Sequence, residues 1–593
     1  MARYWTLLCM IVALIVGMGG GCKPERPDAD DDDDDSWDDD DDDSVGIPDL
    51  TLLIESPADG KIGLEESVVV SGTVTGDHPV VTVNGNAAEV DGETFSVEIP
   101  LHNGDPYTAI MAEAVDSGGW ARDRRTYLHG VPTDASLPVD DGLAVRLTDR
   151  GLEGIESFVL TTFTPDAIAT MLLSSNPLYD DSWVGTQIVV TADDATIGGL
   201  SLEMDALVDG IRVDAALQDV VMDVTVDADW AGTYPGTVTV DAVDLQGLAT
   251  LSASGGSLVV DLPDVTVDLV NLTTDFPGIW DWIEDLVLWL IPGFLEDAIA
   301  SMLQDQVVSA VEQALGTLED GFPLGPVMVG LAFDGVTHDP EGIAAVLDLS
   351  LSLGPSGGDV PEMRVSTEGA LPGLVGMTTP HDVAYGAWVV LDDDALSAIG
   401  IALMGSGLLH QHIEGELPMD TPLPFTAAVL KPMFPSLEEV LDDDAPITID
   451  TAPSVSPVGR PAHGPEGVLE FVLPGFMVDI SGDTDGDGAA DPIYRIVIDG
   501  VIEASVDAEG ETLSVRGADM TATLLSAEVP ADRSEGEGLG NLLELAVGLM
   551  VGDLIDQLLT LIEGMTLVPF EGGACGPAED HAAIYADLLP AAP

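Results

Sequence analysis

The sequence predicts an α+β protein whose body contains two similar units, each a twisted antiparallel sheet wrapped on a long helix. Between Phe276 and Leu318 apolar residues recur every three or four positions, which is the stripe of an amphipathic helix. A second such stretch runs from Gly538 to Met565, and strand-like sequence precedes both. In front of the body, about 80 residues of short strands and turns predict an all-β sandwich. The expected architecture is two elongated barrels behind an immunoglobulin-like (Ig-like) module.

The charge balance excludes one class of partner. The 593 residues include 107 Asp and Glu but only 16 Lys and Arg, for a formal net charge of −91. Affinity for nucleic acid comes from neutralising phosphates with Lys and Arg, so a nucleic-acid partner is not expected. Anionic membrane surfaces would also repel the chain. Hydrophobic residues still make up 46% of the sequence, which permits large cores.

The amino terminus reads as an export signal. Thr6 to Met18 is an apolar run too short to span a bilayer comfortably, and a basic start precedes it. The small residues Gly19 to Gly21, followed by Cys22, resemble a bacterial lipobox, although Gly19 stands where Leu is usual. That resemblance implies acylation of Cys22 and a membrane anchor. An ordinary signal peptide with an incidental Cys22 is the alternative.

An acidic segment follows the cysteine. Residues 23–47 hold two blocks of six aspartates each. Such like-charge runs cannot pack together and stay extended. We expect a solvated spacer that lifts the folded domains off a membrane, with a calcium-collecting segment as the alternative.

Residues 48–131 form the predicted Ig-like sandwich. Strand signals recur every 8–12 residues, and Asn84-Gly85 marks a hairpin turn. Several segments resemble bacterial Ig-like modules of the glucodextranase-B type: Ser56–Gly60, Val70–Val74, Val83–Gly85 and Ala114–Gly119. The resemblance implies a spacer or adhesive domain without catalysis.

The body repeats one order of elements. A strand from Leu143 to Leu147 leads into a helix near Asp149, which is the expected N-cap. Many alternating segments follow, and then the first long helix. The second pass starts with a strand predicted over Gly376–Leu391 and a helix over Asp392–Leu409, and it ends with the second long helix. Val and Leu alternate with Asp and Thr in the segments between, which is typical of a sheet with one wet face.

The body resembles the family of the bactericidal/permeability-increasing protein and its lipid-transfer relatives. The segments that carry this resemblance are Gly142–Leu152, Ile299–Leu318, Ala384–Leu409 and Ala445–Pro453. It implies two barrels with apolar pockets for acyl chains, joined by a central sheet. That sheet would draw on Val327–Phe333, on Ile343–Leu353 and on strands near Ala387 and Leu567.

The expected ligand is a lipid tail lying beside the long helices. The residues expected to contact it are Leu295, Ile299, Met302, Leu303, Leu545 and Leu549. Two departures from the family, acidic strand ends in the first unit and no cysteine pair, argue against capture of lipopolysaccharide phosphates. Binding of tails is unaffected, because it depends on burying CH₂ groups at about 0.8 kcal/mol each.

One segment has the pattern of a calcium loop. Asp483, Asp485 and Asp487 alternate before Gly488, and Asp491 falls at the ninth position. Oxygen ligands at positions 1, 3, 5 and 9 suit Ca²⁺, but Tyr494 stands where a bidentate Glu is usual. The segment resembles calcium-loaded hairpins of extracellular bacterial proteins, so we expect a structural Ca²⁺. A plain polar hairpin tip is the alternative.

No catalytic motif emerges, so the sequence predicts no enzyme. The expected function is that of a membrane-anchored lipoprotein of the bacterial cell envelope, at the outer membrane, that binds or transfers lipid. A structural or adhesive surface protein is the alternative. The predicted divisions are signal peptide 1–22, linker 23–47, Ig-like module 48–131, first barrel 135–325, central region 326–390, second barrel 391–572 and tail 573–593.

Overall fold

In a computed structural model the protein is mostly β. Among the residues that the structure describes, 61% lie in strands, which form several sheets, and 13% are helical. The predicted α+β class, with two barrels wrapped on long helices, is therefore wrong. The reason is the length of the strands between the predicted helices, two of which run for 19 and 23 residues. The long stretches of alternating sequence form sheet almost throughout, so helices are a minor part of the described residues.

The structure describes residues 50–590 with gaps. The residues outside the description are 1–49, 103–104, 175, 184–185, 230–231, 264, 279–284, 286–287, 289–291, 294, 297–298, 302–303, 305–307, 309–320, 325–326, 354–360, 367–368, 406, 408, 415, 418–422, 425, 463–466, 508–511, 541–564, 577–578 and 591–593.

The first folded unit is a sandwich of a four-stranded and a five-stranded sheet. Its strands are β1 Thr51–Ser56, β2 Lys61–Gly63, β3 Ser67–Thr75, β4 Val80–Val83, β5 Asn86–Ala87, β6 Glu89–Asp91, β7 Thr94–Pro100, β8 Tyr107–Val115 and β9 Trp120–His129. The strand orders are β1-β3-β7-β6 and β2-β9-β8-β4-β5. Asn84 and Gly85 both have positive φ, at 46° and 78°, which confirms the predicted tight hairpin.

The next unit, called here the first body, is built on an eight-stranded sheet. Its elements, with the strands that lead into it, are β10 Val131–Asp134, β11 Val139–Thr148, α1 Asp149–Thr162, α2 Pro165–Ser174, β12 Tyr179–Trp183, β13 Thr186–Thr196, β14 Gly199–Leu207, β15 Gly210–Ala228, β16 Gly232–Ser254, β17 Ser257–Asp261, β18 Thr266–Val270 and β19 Thr273–Asp275. The sheet order is β12-β13-β15-β16-β17, with β14 on β15 and with β18 and β19 on β16.

The rest of the chain adds a connecting region, a second body on a six-stranded sheet, and two closing strands. The elements are β20 Phe322–Leu324, β21 Val327–Asp339, β22 Gly342–Leu353, β23 Met363–Ser366, β24 Ala387–Asp392, α3 Asp393–Gly405, β25 Gln411–Glu414, β26 Glu416–Leu417, β27 Leu423–Pro424, α4 Ala427–Leu430, α5 Leu437–Val440, β28 Ile447–Pro453, β29 Val458–Pro461, β30 Gly467–Gly482, β31 Asp491–Asp507, β32 Thr512–Ala527, β33 Met565–Cys575 and β34 His581–Pro590. The second body has the order β25-β28-β30-β31-β32, with β29 on β30.

A seven-stranded central sheet joins the two bodies. Its order is β20-β21-β22-β11-β24-β34-β33, so it combines strands from distant parts of the chain. All four segments expected in a central sheet lie in it. On one side its residues belong to a continuous apolar core that includes Leu251 of the first body and Ile496 of the second. The other side carries a smaller cluster around Tyr385, Trp388 and Tyr585.

Two local predictions near this sheet need correction. The strand predicted over Gly376–Leu391 begins only at Ala387, and the residues before it form a loop. Asp149 is the first residue of α1 and not its N-cap, which is Thr148. The Asp149 carboxylate instead accepts a hydrogen bond from the backbone N–H of Ala206 (3.1 Å) on β14. It therefore ties the helix to the first body.

Arg146 on β11 anchors the loop that precedes β24. Its side chain is fully buried and forms a bidentate pair with Asp339, at 2.8 and 2.9 Å. It also donates to the carbonyl oxygens of Gly376 (2.9 Å) and Leu374 (2.9 Å). Hydrogen bonds from Arg146 hold the pKa of Asp339 below its usual value. One side chain thus joins strand β11, strand β21 and the loop.

Close backbone contact seats α1 beside the same sheet. A Cβ on Gly151 would lie 2.2 Å from the carbonyl oxygen of Gly386, and one on Gly154 would lie 2.2 Å from that of Leu588. Only glycine permits such an approach, so these two positions set the distance between the helix and the sheet.

The Ig-like module packs on the second body. Arg124, on β9, is 5% exposed and pairs with Asp499 on β31. Burial raises the pKa of Asp499, and Arg124 partly offsets that effect. Arg122 donates to the carbonyl oxygen of Leu524 (3.1 Å), and Arg533 pairs with Glu113. The module is therefore docked in this structure, although the sequence suggested a spacer.

We expect Arg146→Leu to destabilise the protein by about 3 kcal/mol, because it leaves two carbonyl oxygens and the Asp339 carboxylate without their partner. Urea denaturation measures the loss. Arg150→Leu is the matched control: Arg150 also pairs with an aspartate, Asp587 (2.7 Å), but is half exposed. Such a pair contributes about 0–1 kcal/mol. Equal losses for the two variants would contradict the role given to Arg146.

A second prediction concerns Asp141, whose pKa is raised by burial and by nearby carboxylates, first those of Asp334 and Asp348. A carboxyl whose pKa is raised on folding destabilises the folded state once it ionises. Asp141→Asn should therefore raise the melting temperature at pH 7, and the gain should shrink as the pH falls through the raised pKa of the folded state and vanish below the ordinary carboxyl pKa. Asn also tolerates the φ of 56° found at this position.

Thermal melts across the pH range test this prediction, with Asp444→Asn, an exposed acid that is not among the carboxylates acting on Asp141, as the control. A melting temperature at pH 7 that is unchanged or lower in Asp141→Asn would show that repulsion at this site does not limit stability.

Candidate functional site

The candidate binding region is the apolar interior of the first body. It is formed by the inward faces of the two longest strands, β15 and β16, which pair along their length. Inward residues of β15 include Val213, Leu217, Met222 and Val226, all buried. The wet face between them carries Asp223 and Thr225, as the alternation predicted. Each strand therefore supplies an apolar wall with an acidic exterior.

The alternation changes phase once along β15. Leu217 and Val220 are both buried, while the two residues between them, Gln218 and Asp219, are both exposed. Asp219 has a φ of 50°, a conformation that Asp adopts more readily than most residues. This shift keeps Val220, and the alternate residues after it, on the inner face. Without it the second half of the strand would turn its valines to water.

The predicted lipid contacts Leu295 and Ile299 lie inside this region. Within the first long amphipathic stretch the residues described between 285 and 308 are helical, and Leu295 and Ile299 are each 1% exposed. They pack in one cluster with Ile188, Val240 and other inward residues of the sheet. On the same stretch Leu288 and Glu296 are exposed, so one face of the helical residues points to solvent while Leu295 and Ile299 point to the sheet. The structure thus places both residues in the interior, against the sheet.

The other predicted lipid contacts lie outside the described residues: Met302, Leu303, Leu545 and Leu549. Of the second long stretch, Gly538, Leu539 and Gly540 are described and are helical. Leu539 packs against the large core that includes the interior of the second body.

Among the residues described between 149 and 363, no polar or charged residue is buried as a whole, although Oδ1 of Asp214 and Nε2 of His338 are buried atoms. The buried polar side chains in the described chain are Thr108, Arg124, Thr126, Arg146, Thr148, Arg364, Thr379, Ser397, Ser456, Asp580 and His581. An interior of this kind offers no hydrogen bond to orient a polar substrate. It suits ligands that are recognised by apolar contact alone.

The aspartate loop between β30 and β31 is partly assembled as predicted. Carboxylate oxygens of Asp483, Asp485 and Asp491 lie within 4.8 Å of one another. Asp487 is not in this group; its Oδ1 accepts a hydrogen bond from the N–H of Ala489 (2.7 Å). Asp483 also accepts bonds from the N–H groups of Gly486 (2.7 Å) and Gly488 (3.0 Å). Three of the four predicted ligands are thus brought together.

A buried ionic cluster escaped the sequence reasoning. His581, 1% exposed, lies between Asp580 (2.7 Å) and Asp392 (3.1 Å). Burial alone would lower the pKa of His581, but hydrogen bonds to Asp392 and Asp580 outweigh it and raise it. Asp392 also accepts a hydrogen bond from the N–H of Asp394 (2.8 Å), so it caps α3. Only the pairing of β24 with β34 reveals the histidine's position.

The predicted anchor residue, Cys22, lies outside the described residues. Within the described chain, no single helix is long and apolar enough to cross a membrane. The bent pair formed by α1 and α2 would reach that length and hydropathy together.

Comparison with known proteins identifies one part of the chain. The family described as "Glucodextranase, domain B" matches residues 48–126, which supports the Ig-like module. None of the curated proteins matches the chain.

Two solved structures are similar to a larger part of it. A lipopolysaccharide binding protein is 14% identical, with a TM-score of 0.38, over 77% of this chain and all of that one. The P47 protein of Clostridium botulinum E1 is 9% identical, with a TM-score of 0.20, over 76% of this chain and all of that one. At these scores neither likeness carries an argument about the body.

Proposed function

We propose that the protein binds hydrophobic ligands with acyl chains in the interior of the first body and performs no catalysis. The observation that carries this proposal is the interior itself. It is long, it is lined by β15, β16 and the helical residues around Ile299, and no polar or charged residue described in it is buried as a whole. The resemblance of residues 142–152 and 299–318 to lipid-transfer proteins supports the same conclusion.

The affinity would come from burial alone. Each CH₂ group removed from water contributes about 0.8 kcal/mol, so a chain of about 14 such groups gains roughly 11 kcal/mol before the costs of ordering. The ligand's polar end would stay in water, because the interior has nothing with which to pair it. The acidic exterior favours ligands whose head is neutral or cationic.

We also propose that the chain acts at a bacterial cell envelope, anchored through Cys22. The lipobox-like segment before Cys22 and the acidic residues 23–47 support this proposal. An acyl anchor with an extended spacer would hold the ligand-binding body near the bilayer from which lipids come.

Native mass spectrometry with lipid extraction tests the binding proposal. Residues 23–593, purified without detergent, should carry about one or two phospholipid or fatty-acid molecules per chain, as expected for one or two apolar interiors. A mass without ligand, unchanged after incubation with lipid vesicles, would contradict the proposal.

A matched pair of variants locates the ligand. Ile299→Trp should at least halve the lipid recovered, because the larger ring occupies interior volume, at a cost in stability of about 1–3 kcal/mol. Leu288→Trp makes the same change in size on the exposed side of the same stretch, where Leu288 is 39% exposed, and should leave lipid recovery unchanged. Equal loading of all three proteins would exclude this interior as the binding region.

A structural or adhesive surface protein is the second candidate. The match of residues 48–126 to an Ig-like family favours it, as does the docking of that module on the second body. In this case the interiors are filled by the protein's own side chains. The mass-spectrometry experiment separates the two functions, since only the first predicts bound lipid.

We further propose that the aspartate loop binds a structural Ca²⁺ through Asp483, Asp485 and Asp491, with Asp487 joining after a side-chain rotation. Sites in extracellular modules have dissociation constants of about 0.1–1 mM, so about 10 mM Ca²⁺ should stabilise the protein by roughly 1–3 kcal/mol. Differential scanning calorimetry with Ca²⁺ and with Mg²⁺ measures this.

Asp483→Asn should abolish the Ca²⁺-dependent rise in melting temperature. Asp444→Asn, an exposed acid outside the loop, should retain it. A rise that is the same in both variants, or the same with Mg²⁺, would indicate general screening of the chain's negative charge and would contradict the loop as the site.

A further inference from the structure

The loop of residues 369–386 covers the outer side of the central sheet. Leu371 and Leu374 pack in the small cluster with Tyr385, Trp388 and Tyr585. Trp388 and Tyr585 stack with ring centroids 5.4 Å apart. This side of the loop is therefore held by apolar contact with the sheet.

The loop is also held by hydrogen bonds. Arg146 binds two of its carbonyl oxygens, and the Tyr385 hydroxyl donates to that of Gly376 (2.7 Å). Its tip is a small hairpin in which Thr379 N–H donates to Val383 O (2.8 Å) and Tyr385 N–H donates to Met377 O (3.2 Å). With so many contacts the tip has a defined shape, and its exposed side chains are presented on a fixed support.

Three large apolar side chains on this tip face water. Val375 is 69% exposed, Val383 is 45% exposed and Met377 is 43% exposed. Single exposed apolar residues are common and need no explanation. Three within nine residues, on a loop whose neighbouring leucines are packed inward, form an apolar surface that the fold itself does not use.

The charge of the loop differs from that of the chain. Residues 369–381 contain no acidic residue, and Asp382 is the one acid in 369–386, although Asp and Glu number 107 of 593. His381 lies in the tip, and its Nδ1 is 2.8 Å from Oε1 of Glu571. A cationic partner would find little to bind here. An anionic surface would be repelled by the net charge of −91.

We propose that the side chains of Val375, Met377 and Val383 on this tip insert shallowly into a lipid surface whose headgroups carry no net charge, while His381 and Asp382 stay at the level of the headgroups. Aliphatic and thioether side chains on a fixed loop suit the boundary between headgroups and acyl chains. The 28 residues from Cys22 to Leu50 span up to about 95 Å when extended. In a chain anchored at Cys22 this length allows the loop to reach the bilayer that holds the anchor. The contact concerns the surface of the protein and does not depend on lipid in the interior.

The test uses residues 23–593, which retain every described residue, and vesicles of phosphatidylcholine. The double variant Val375→Asp with Met377→Asp should bind at least about tenfold more weakly than the unsubstituted chain, because each insertion would then bury a charge. Val208→Asp is the control: Val208 is 65% exposed between β14 and β15, and its change should leave binding within about twofold. Co-sedimentation measures binding, and melting temperatures confirm that the variants fold.

Three results would overturn the inference. They are no binding of the unsubstituted chain to phosphatidylcholine, equal losses in the loop and control variants, and tighter binding when phosphatidylglycerol is added. Native mass spectrometry of the same proteins keeps this proposal separate from the proposed function. Loss of vesicle binding with retained interior lipid supports the loop, and absence of interior lipid leaves the vesicle result unaffected.

Discussion

The central sheet depends on the burial of one charged side chain. Arg146 lies on β11, which pairs with β22 on one side and with β24 on the other. A buried guanidinium is costly unless its donors are satisfied, and here Asp339 and two loop carbonyls satisfy them. The same bonds fix where β24 begins and which side of the sheet the preceding loop covers. The junction between the two bodies is therefore specified by polar contacts, while apolar residues supply most of its area.

The inward and outward faces of the strands could be predicted from the sequence, because the alternation of apolar and polar residues is a local property. Met222, Val224 and Val226 alternate with acids and threonines in the sequence and lie on the inner face in the structure. The tight turn at Asn84-Gly85 was readable for the same reason, since positive φ at two successive residues favours those residue types. The predicted fold class is wrong because the two amphipathic stretches count for less in the architecture than the long strands do. The two amphipathic stretches predict an architecture built on helices, whereas β15 and β16, with 19 and 23 residues, show that the first body is built on its sheet.

Contacts between distant segments were not readable. Nothing near His581 in the sequence indicates Asp392, which lies 189 positions earlier and reaches it only because β24 pairs with β34. The ion pair between Arg124 and Asp499 could not be predicted for the same reason. Nor could the hydrogen bond from Arg146 to the carbonyl oxygen of Gly376. The aspartate loop is intermediate: its spacing was visible, but only the backbone bonds show that Asp487 turns toward Ala489 and away from the other three carboxylates.

The contrast between interior and exterior limits what the first body can recognise. Its outer face has carboxylates bonded to neighbouring threonines, as in the pairs of Thr237 with Asp223 (3.1 Å) and Thr233 with Asp227 (3.2 Å). Its inner face consists of apolar side chains that pack in one cluster. Discrimination among ligands would then rest on the length and volume of the apolar part, where one CH₂ changes affinity by only about fourfold. A ligand site of this kind would bind acyl chains of similar length with similar affinity and would not select one compound.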